Sequence, residues 1–172
     1  MKVISLALTA FVLIELSACA SAPQSCFNAL DRLDPPGAIQ PTAQWGLGTK
    51  SGPYVFVSGM RGIDPDTNEI VTDPKARVRQ AYTNMLFVAA AAGAQPEDLI
   101  ETTVFIRTDA PHPASEFLTI RRFDNEVRQE IYGDGPYPNR TIVGVTELNG
   151  IDVNGQVDVY EVKGIFYVPC AS

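Results

Sequence analysis

Apolar positions along the chain recur with two different periods. Val78, Ala81, Tyr82, Met85, Val88 and Ala92 fall three and four residues apart, which puts them on one face of a helix. Asp73 and Pro74 precede that face as N-cap and first-turn residues, and Gly93 is its natural stop. The alanines from Ala89 to Ala92 let the face sit close to a sheet. Phe117, Ile120, Phe123, Val127 and Ile131 mark a second helix over 114–132, ended by Gly133. Runs rich in β-branched and aromatic residues predict strands at 45–48, 53–59, 99–106, 140–145 and 157–168. GIDPDTNE, from Gly62 to Glu69, reads as a turn. The order β-β-α-β-α-β-β predicts an α+β domain, a single sheet with both helices on one face. Its other face is left bare, and a bare apolar face on a small domain predicts oligomerisation.

With 172 residues, 45% hydrophobic and 19% charged, the chain suits one packed domain. Its net charge of −7 opposes binding to a phosphate backbone, and no Lys/Arg cluster exceeds Arg121-Arg122. No nucleic-acid partner is expected. At the N-terminus Lys2 precedes an apolar run from Val3 to Ile14, too short for a bilayer span and suited to a signal-peptide core. Leu16-Ser17-Ala18-Cys19 looks like a bacterial lipobox, in which the cysteine is lipidated and becomes the new N-terminus. Ordinary cleavage after Ala20 is the alternative. The expected organisation is a signal segment over 1–18, a tether with a small docked turn over 19–41 and a domain over 42–172. The chain would be exported to the bacterial periplasm and touch the membrane through a lipid anchor only. Cys26 and Cys170 would lie near the two ends of the mature chain, and an oxidising compartment favours their pairing. Two unrelated thiols are the alternative.

Several chemistries find no support in the residues. The chain has no GxGxxG and no P-loop. His112, the one histidine, sits between two prolines, which suits neither a Ser-His-Asp triad nor a zinc site, and no metal is expected. What remains is PYPNRTIV over 136–143, where Arg140 opens a β-branched run after two prolines. A guanidinium matches a carboxylate with two parallel hydrogen bonds. The residues alone leave open whether that carboxylate belongs to a ligand or to an Asp or Glu of the chain.

Three segments, in order, resemble those of one family. VFVSGMRGIDPDTNEIV resembles its strand-turn segment. QAYTNMLFVAAAAGAQPEDLIETTVFI resembles its Q-x-x-x-N helix and TVF strand, and PNRTIVGVTEL its P-x-R-T signature. The family is the Rid family, also called YjgF, reactive intermediate deaminase or L-PSP endoribonuclease-like, and the resemblance runs from about Thr42 to Val168. It implies a chorismate-mutase-like fold and a homotrimer with three clefts between subunits. The implied activity is hydrolysis of 2-imino acids, formed from enamines, to 2-keto acids and ammonia, without metal or organic cofactor. The resemblance assigns Arg140 to gripping a small substrate carboxylate. It gives Gly59 and Ile142 cleft-lining backbone groups and sets Ser58 near the substrate. Asp158 falls where many members have a glutamate that positions the attacking water, with Glu161 as the lesser substitute. Trp45 stands where deaminating members usually carry tyrosine, and an indole stacks but cannot serve as a phenolic acid. The family's cleft asparagine has no clear counterpart near Phe123. A non-catalytic lipoprotein that binds small carboxylates is the second reading of the same fold. Ribonuclease activity, attributed to some relatives, is opposed by the charge and the lone histidine.

Overall fold

The computed structural model describes residues 30–108, 114–148 and 157–170. Within them, six strands make one sheet: β1 (Leu30–Leu33), β2 (Gly48–Ser51), β3 (Tyr54–Met60), β4 (Leu99–Arg107), β5 (Asn139–Val145) and β6 (Tyr160–Tyr167). Helix α1 spans Pro74–Ala90 and α2 spans Ala114–Tyr132. The strand order is β1-β2-β3-β6-β4-β5. Neighbours are antiparallel except β4 and β5, which run parallel and are joined through α2. This is the α+β architecture expected from the apolar periods.

Local chemistry explains the helices. The Asp73 carboxylate accepts the Ala76 N–H at 2.7 Å, and Pro74 fills the first turn, where its missing N–H has no partner to lose. The α1 stripe of Val78, Ala81, Tyr82, Met85 and Val88 is buried. It closes down on β6 at Gly164, where an added Cβ would lie 2.7 Å from the Met85 sulfur. Only bare backbone permits that approach. Helix α2 buries Ile120 and Val127, but Asp124 and Arg128 are buried with them.

The strands alternate. Thr102, Val104 and Ile106 of β4 and Tyr160, Val162 and Phe166 of β6 are buried toward the helices. The intervening residues face the other way. On that second face Tyr54, Phe56 and Tyr167 are 43%, 44% and 45% exposed. The Tyr54 ring stands edge-on to Tyr167, centroids 5.7 Å apart. This is the uncovered apolar face that the pattern predicts.

Three segments differ from expectation. The strand expected at 45–48 starts at Gly48 and runs to Ser51, because the tight connection through Gly52 pairs Ser51 with Tyr54 and sets the register. The last strand starts at Tyr160, not Val157. The Val157 carbonyl is taken by Arg77 Nη1 at 3.0 Å and the Val159 carbonyl by the Arg107 N–H at 3.1 Å. The expected tether supplies β1, and Ala38 and Ile39 are buried in the core. The signal segment, Cys19, Cys26 and His112 lie outside the described residues. Among the described residues no helix is long and apolar enough to cross a membrane.

Candidate functional site

Arg140, the second residue of β5, is level with Thr102 of β4, with its side chain on the helix-covered face of the sheet. Its Nη1 donates to Asp124 Oδ2 and, at 2.7 Å, to Asn125 Oδ1, both on α2. Asp124 has no exposed surface and is 0% exposed at its side chain. Its Oδ1 accepts the hydroxyls of Tyr82 at 2.9 Å and Tyr160 at 2.6 Å. Burial pushes both phenols well up from their ordinary values, so they stay neutral donors. The helix-spaced stripe of α2 therefore carries a buried carboxylate that orients Arg140 from behind.

In front of Arg140 lies a cavity of about 520 Å³, lined by Asn125, Arg128, Gln129, Tyr137, Pro138 and Arg140. That is the scale of small-ligand sites. Arg128 braces its wall, donating to the Pro138 carbonyl at 2.6 Å and to Thr102 Oγ1 at 3.1 Å. Ile142, two residues along β5, is half-buried against the core on the sheet's edge strand.

The other expected residues gather elsewhere. A second cavity of about 390 Å³ is lined by Thr42, Ala43, Trp45, Ser58, Gly59, Arg61 and Glu161. A register irregularity between Val57 and Met60 of β3 turns Ser58 and Gly59 toward it, the usual effect of a bulge. Ser58 Oγ donates to the Gly46 carbonyl at 2.5 Å. Its proton is thus committed, and its oxygen is left to accept from a ligand. Glu161 lies across Gly59, where any side chain would overlap the Glu161 carboxylate.

The two carboxylates weighed from the sequence are separated here. Asp158 is buried outside the cavity lining, its Oδ2 accepting from Arg61 Nη1 at 3.0 Å. Its Oδ1 is buried without a hydrogen-bond partner. Burial pushes the Asp158 carboxyl up to about 6, against the pull of Arg61. Glu161 reaches the cavity because it is the first outward-facing residue of β6.

Arg140 and Glu161 do not meet within one chain. Thr102 is level with both Arg140 and Gly164, so Glu161 sits three residues further along and two strands over. At strand spacings that separates their backbones by roughly 14 Å. The side chains also leave opposite faces of the sheet. Among the described residues no group of three or more His, Cys, Asp or Glu side chains is arranged to hold a metal ion.

Comparison with known proteins gives a consistent result. The sequence model of the family described as endoribonuclease L-PSP matches residues 36–160. A 2-iminobutanoate/2-iminopropanoate deaminase of Dermatophagoides farinae is 36% identical over 114 residues, 66% of this chain and 81% of that protein. The RutC family protein YjgH of Escherichia coli is 37% identical over 121 residues, 70% of this chain and 79% of that one. The structure of a probable translation initiation inhibitor from Rhodopseudomonas palustris superposes with a TM-score of 0.71 at 36% identity. It covers 83% of this chain and all of that one.

Proposed function

Because this chain belongs to the endoribonuclease L-PSP family, the Rid or YjgF family, we propose that it hydrolyses small 2-imino acids in a cleft between subunits of a homotrimer. One subunit contributes the Arg140 cavity, and its neighbour contributes the Trp45, Ser58, Gly59 and Glu161 cavity. The observation that carries this reading is that the anion-holding arginine and the proton-accepting glutamate lie in two cavities on opposite faces of one sheet. Each cavity lacks what the other has, and a second copy of the chain supplies it. The exposed Tyr54, Phe56 and Tyr167 offer the apolar surface that assembly would bury.

The chemistry asks little of the protein. Arg140 grips the substrate carboxylate, which fixes the imine carbon. Glu161 takes a proton from water as the water oxygen bonds to that carbon. The same carboxyl gives that proton to the amine nitrogen of the carbinolamine, then takes the hydroxyl proton as the C–N bond breaks and C=O forms. Ammonia leaves the 2-keto acid behind, and the iminium's proton passes through Glu161 to solvent. General acid–base help of about 10²–10⁴-fold is the expected yield. Trp45 stacks on the substrate, and the Ser58 oxygen accepts from the iminium or the water. Asp158 fixes Arg61 in the cavity wall and makes no contact with the reacting atoms. The same reading has the chain exported to the periplasm on the pattern Val3–Cys19, anchored through Cys19, with Cys26 paired to Cys170.

Mixed trimers test the shared site. Arg140→Ala and Glu161→Gln should each abolish ammonia release from 2-iminopropanoate. Unfolded together and reassembled at equal amounts, they should recover about a quarter of wild-type activity. A site drawing on two neighbours is intact only when each supplies its unmutated half. Reassembled trimers with no activity, or one variant fully active alone, overturn the shared site. Stabilisation by pyruvate without ammonia release from the wild type would select the non-catalytic binder.

A further inference from the structure

Resting on that reading, we propose that the site prefers 2-imino acids bearing a second carboxylate, and that Arg128 holds it. Arg128 lines the cavity in front of Arg140, yet only 4% of its surface is exposed. Its hydrogen bonds go to neutral acceptors: the Pro138 carbonyl at 2.6 Å, Thr102 Oγ1 at 3.1 Å and the Tyr82 hydroxyl at 3.5 Å. The Tyr132 ring lies beside it, centroid 5.8 Å from the guanidinium carbon. Among the described residues no carboxylate stands within ion-pair distance of Arg128, whereas Arg140 has Asp124. Asn125, Gln129, Tyr137 and Pro138, which complete the lining, are uncharged. The cavity thus sets two cations against one buried carboxylate.

A buried guanidinium without an anion carries a desolvation penalty that an incoming anion offsets. A monocarboxylate held by Arg140 leaves Arg128 unmatched. The spacing suits a diacid. The Tyr82 hydroxyl is 3.5 Å from Arg128 Nη1 and 2.9 Å from Asp124 Oδ1, while the other Asp124 oxygen binds Arg140. One phenol oxygen and one carboxylate therefore separate the two guanidinium groups. With about 3 Å for each charge-assisted hydrogen bond, a four- or five-carbon diacid bridges them. Helix α2 supplies Arg128 four residues after Asp124, so the second cation and the carboxylate that steadies the first share one helical face.

The test compares two keto acids of equal chain length, 2-oxoglutarate and 2-oxopentanoate, by titration calorimetry on the purified full chain. Ammonia release is measured in parallel on the imines made in situ from glutamate and norvaline by amino acid oxidases. 2-Oxoglutarate should bind at least tenfold more tightly, about 1.4 kcal/mol. In Arg128→Gln the ratio should fall below threefold. Equal affinities in the wild type, an undiminished ratio in the variant, or inorganic phosphate binding as tightly as 2-oxoglutarate each overturn the proposal. If the variant does not fold, the wild-type ratio alone decides. Binding and turnover of the five-carbon monoacid without preference for the diacid sinks this inference only. No binding and no ammonia from either acid sinks the imine-hydrolase reading with it.

Discussion

Replacing Arg140 removes more than a ligand contact, because Asp124 depends on it. The Asp124 side chain is 0% exposed and that of Arg140 is 21% exposed. Removing the cation strands a carboxylate inside the protein with only two phenol donors. Breaking a buried pair from one side costs about 3–5 kcal/mol, and the partial exposure of Arg140 puts this case near 3. For a chain of this size each kcal/mol moves Tm by about 2–4 °C, so Arg140→Gln should melt roughly 6–12 °C below wild type. Adding Asp124→Asn removes the stranded charge while its amide oxygen still accepts the tyrosine hydroxyls. The double variant should then regain about half the loss, and no activity. The assay is thermal melting at fixed protein concentration and pH 7.5, with ammonia release measured on the same samples. A double variant that melts at or below Arg140→Gln, or an Arg140→Gln that melts within 2 °C of wild type, refutes the dependence.

Asp158 yields a pH effect of definite sign. Its folded carboxyl is raised from 3.8 to about 6 by burial, so its contribution to stability is full below about 3.8 and is lost as pH rises through about 6. The loss is worth about 2 kcal/mol between pH 4 and 7.5. Urea unfolding of Asp158→Asn beside wild type should show the variant gaining on wild type by that amount across the range; a pH-independent difference contradicts it. At Gly59 an added methyl overlaps the Glu161 carboxylate. Gly59→Ala should therefore lower kcat at least tenfold with a Tm shift of only a few degrees, since the flexible end of Glu161 can swing away. A normal kcat would show that Glu161 need not lie there.

The helices were legible because their apolar spacing, caps and stops agree. Val78 to Val88 carries the period, and Asp73 and Gly93 punctuate it. Which of the two carboxylates lines the Trp45 cavity was not legible. Asp158 and Glu161 differ by an odd number of residues, so one strand cannot send both the same way. The choice turned on where β6 begins, and that is set by Arg77 and Arg107 binding the carbonyls of Val157 and Val159. Such long-range contacts leave no mark in a local pattern. The counter-ion of Arg140 did leave one. Asp124 falls four residues after Ile120 and three before Val127, a polar residue on an apolar stripe. Arg128 repeats the signal four residues later. Strand β1 was missed because four residues of mixed polarity, in a stretch rich in Pro, Ser and Ala, carry no period.

That short strand has its own consequence. β1 closes one border of the sheet, yet three of its four side chains are exposed and only Leu33 is buried. It is held to β2 by its backbone ladder and by Arg32 donating to Thr49 Oγ1 at 2.9 Å, with little apolar anchorage. Once the proposed Cys26–Cys170 bond is reduced, peeling it away is therefore among the least costly excursions of the fold. Each such excursion uncovers the outer backbone groups of β2, a row of unpaired donors and acceptors that another extended segment can adopt. Strand β1 is thereby a removable hem on the sheet, and whatever trims it would leave a sticky border behind.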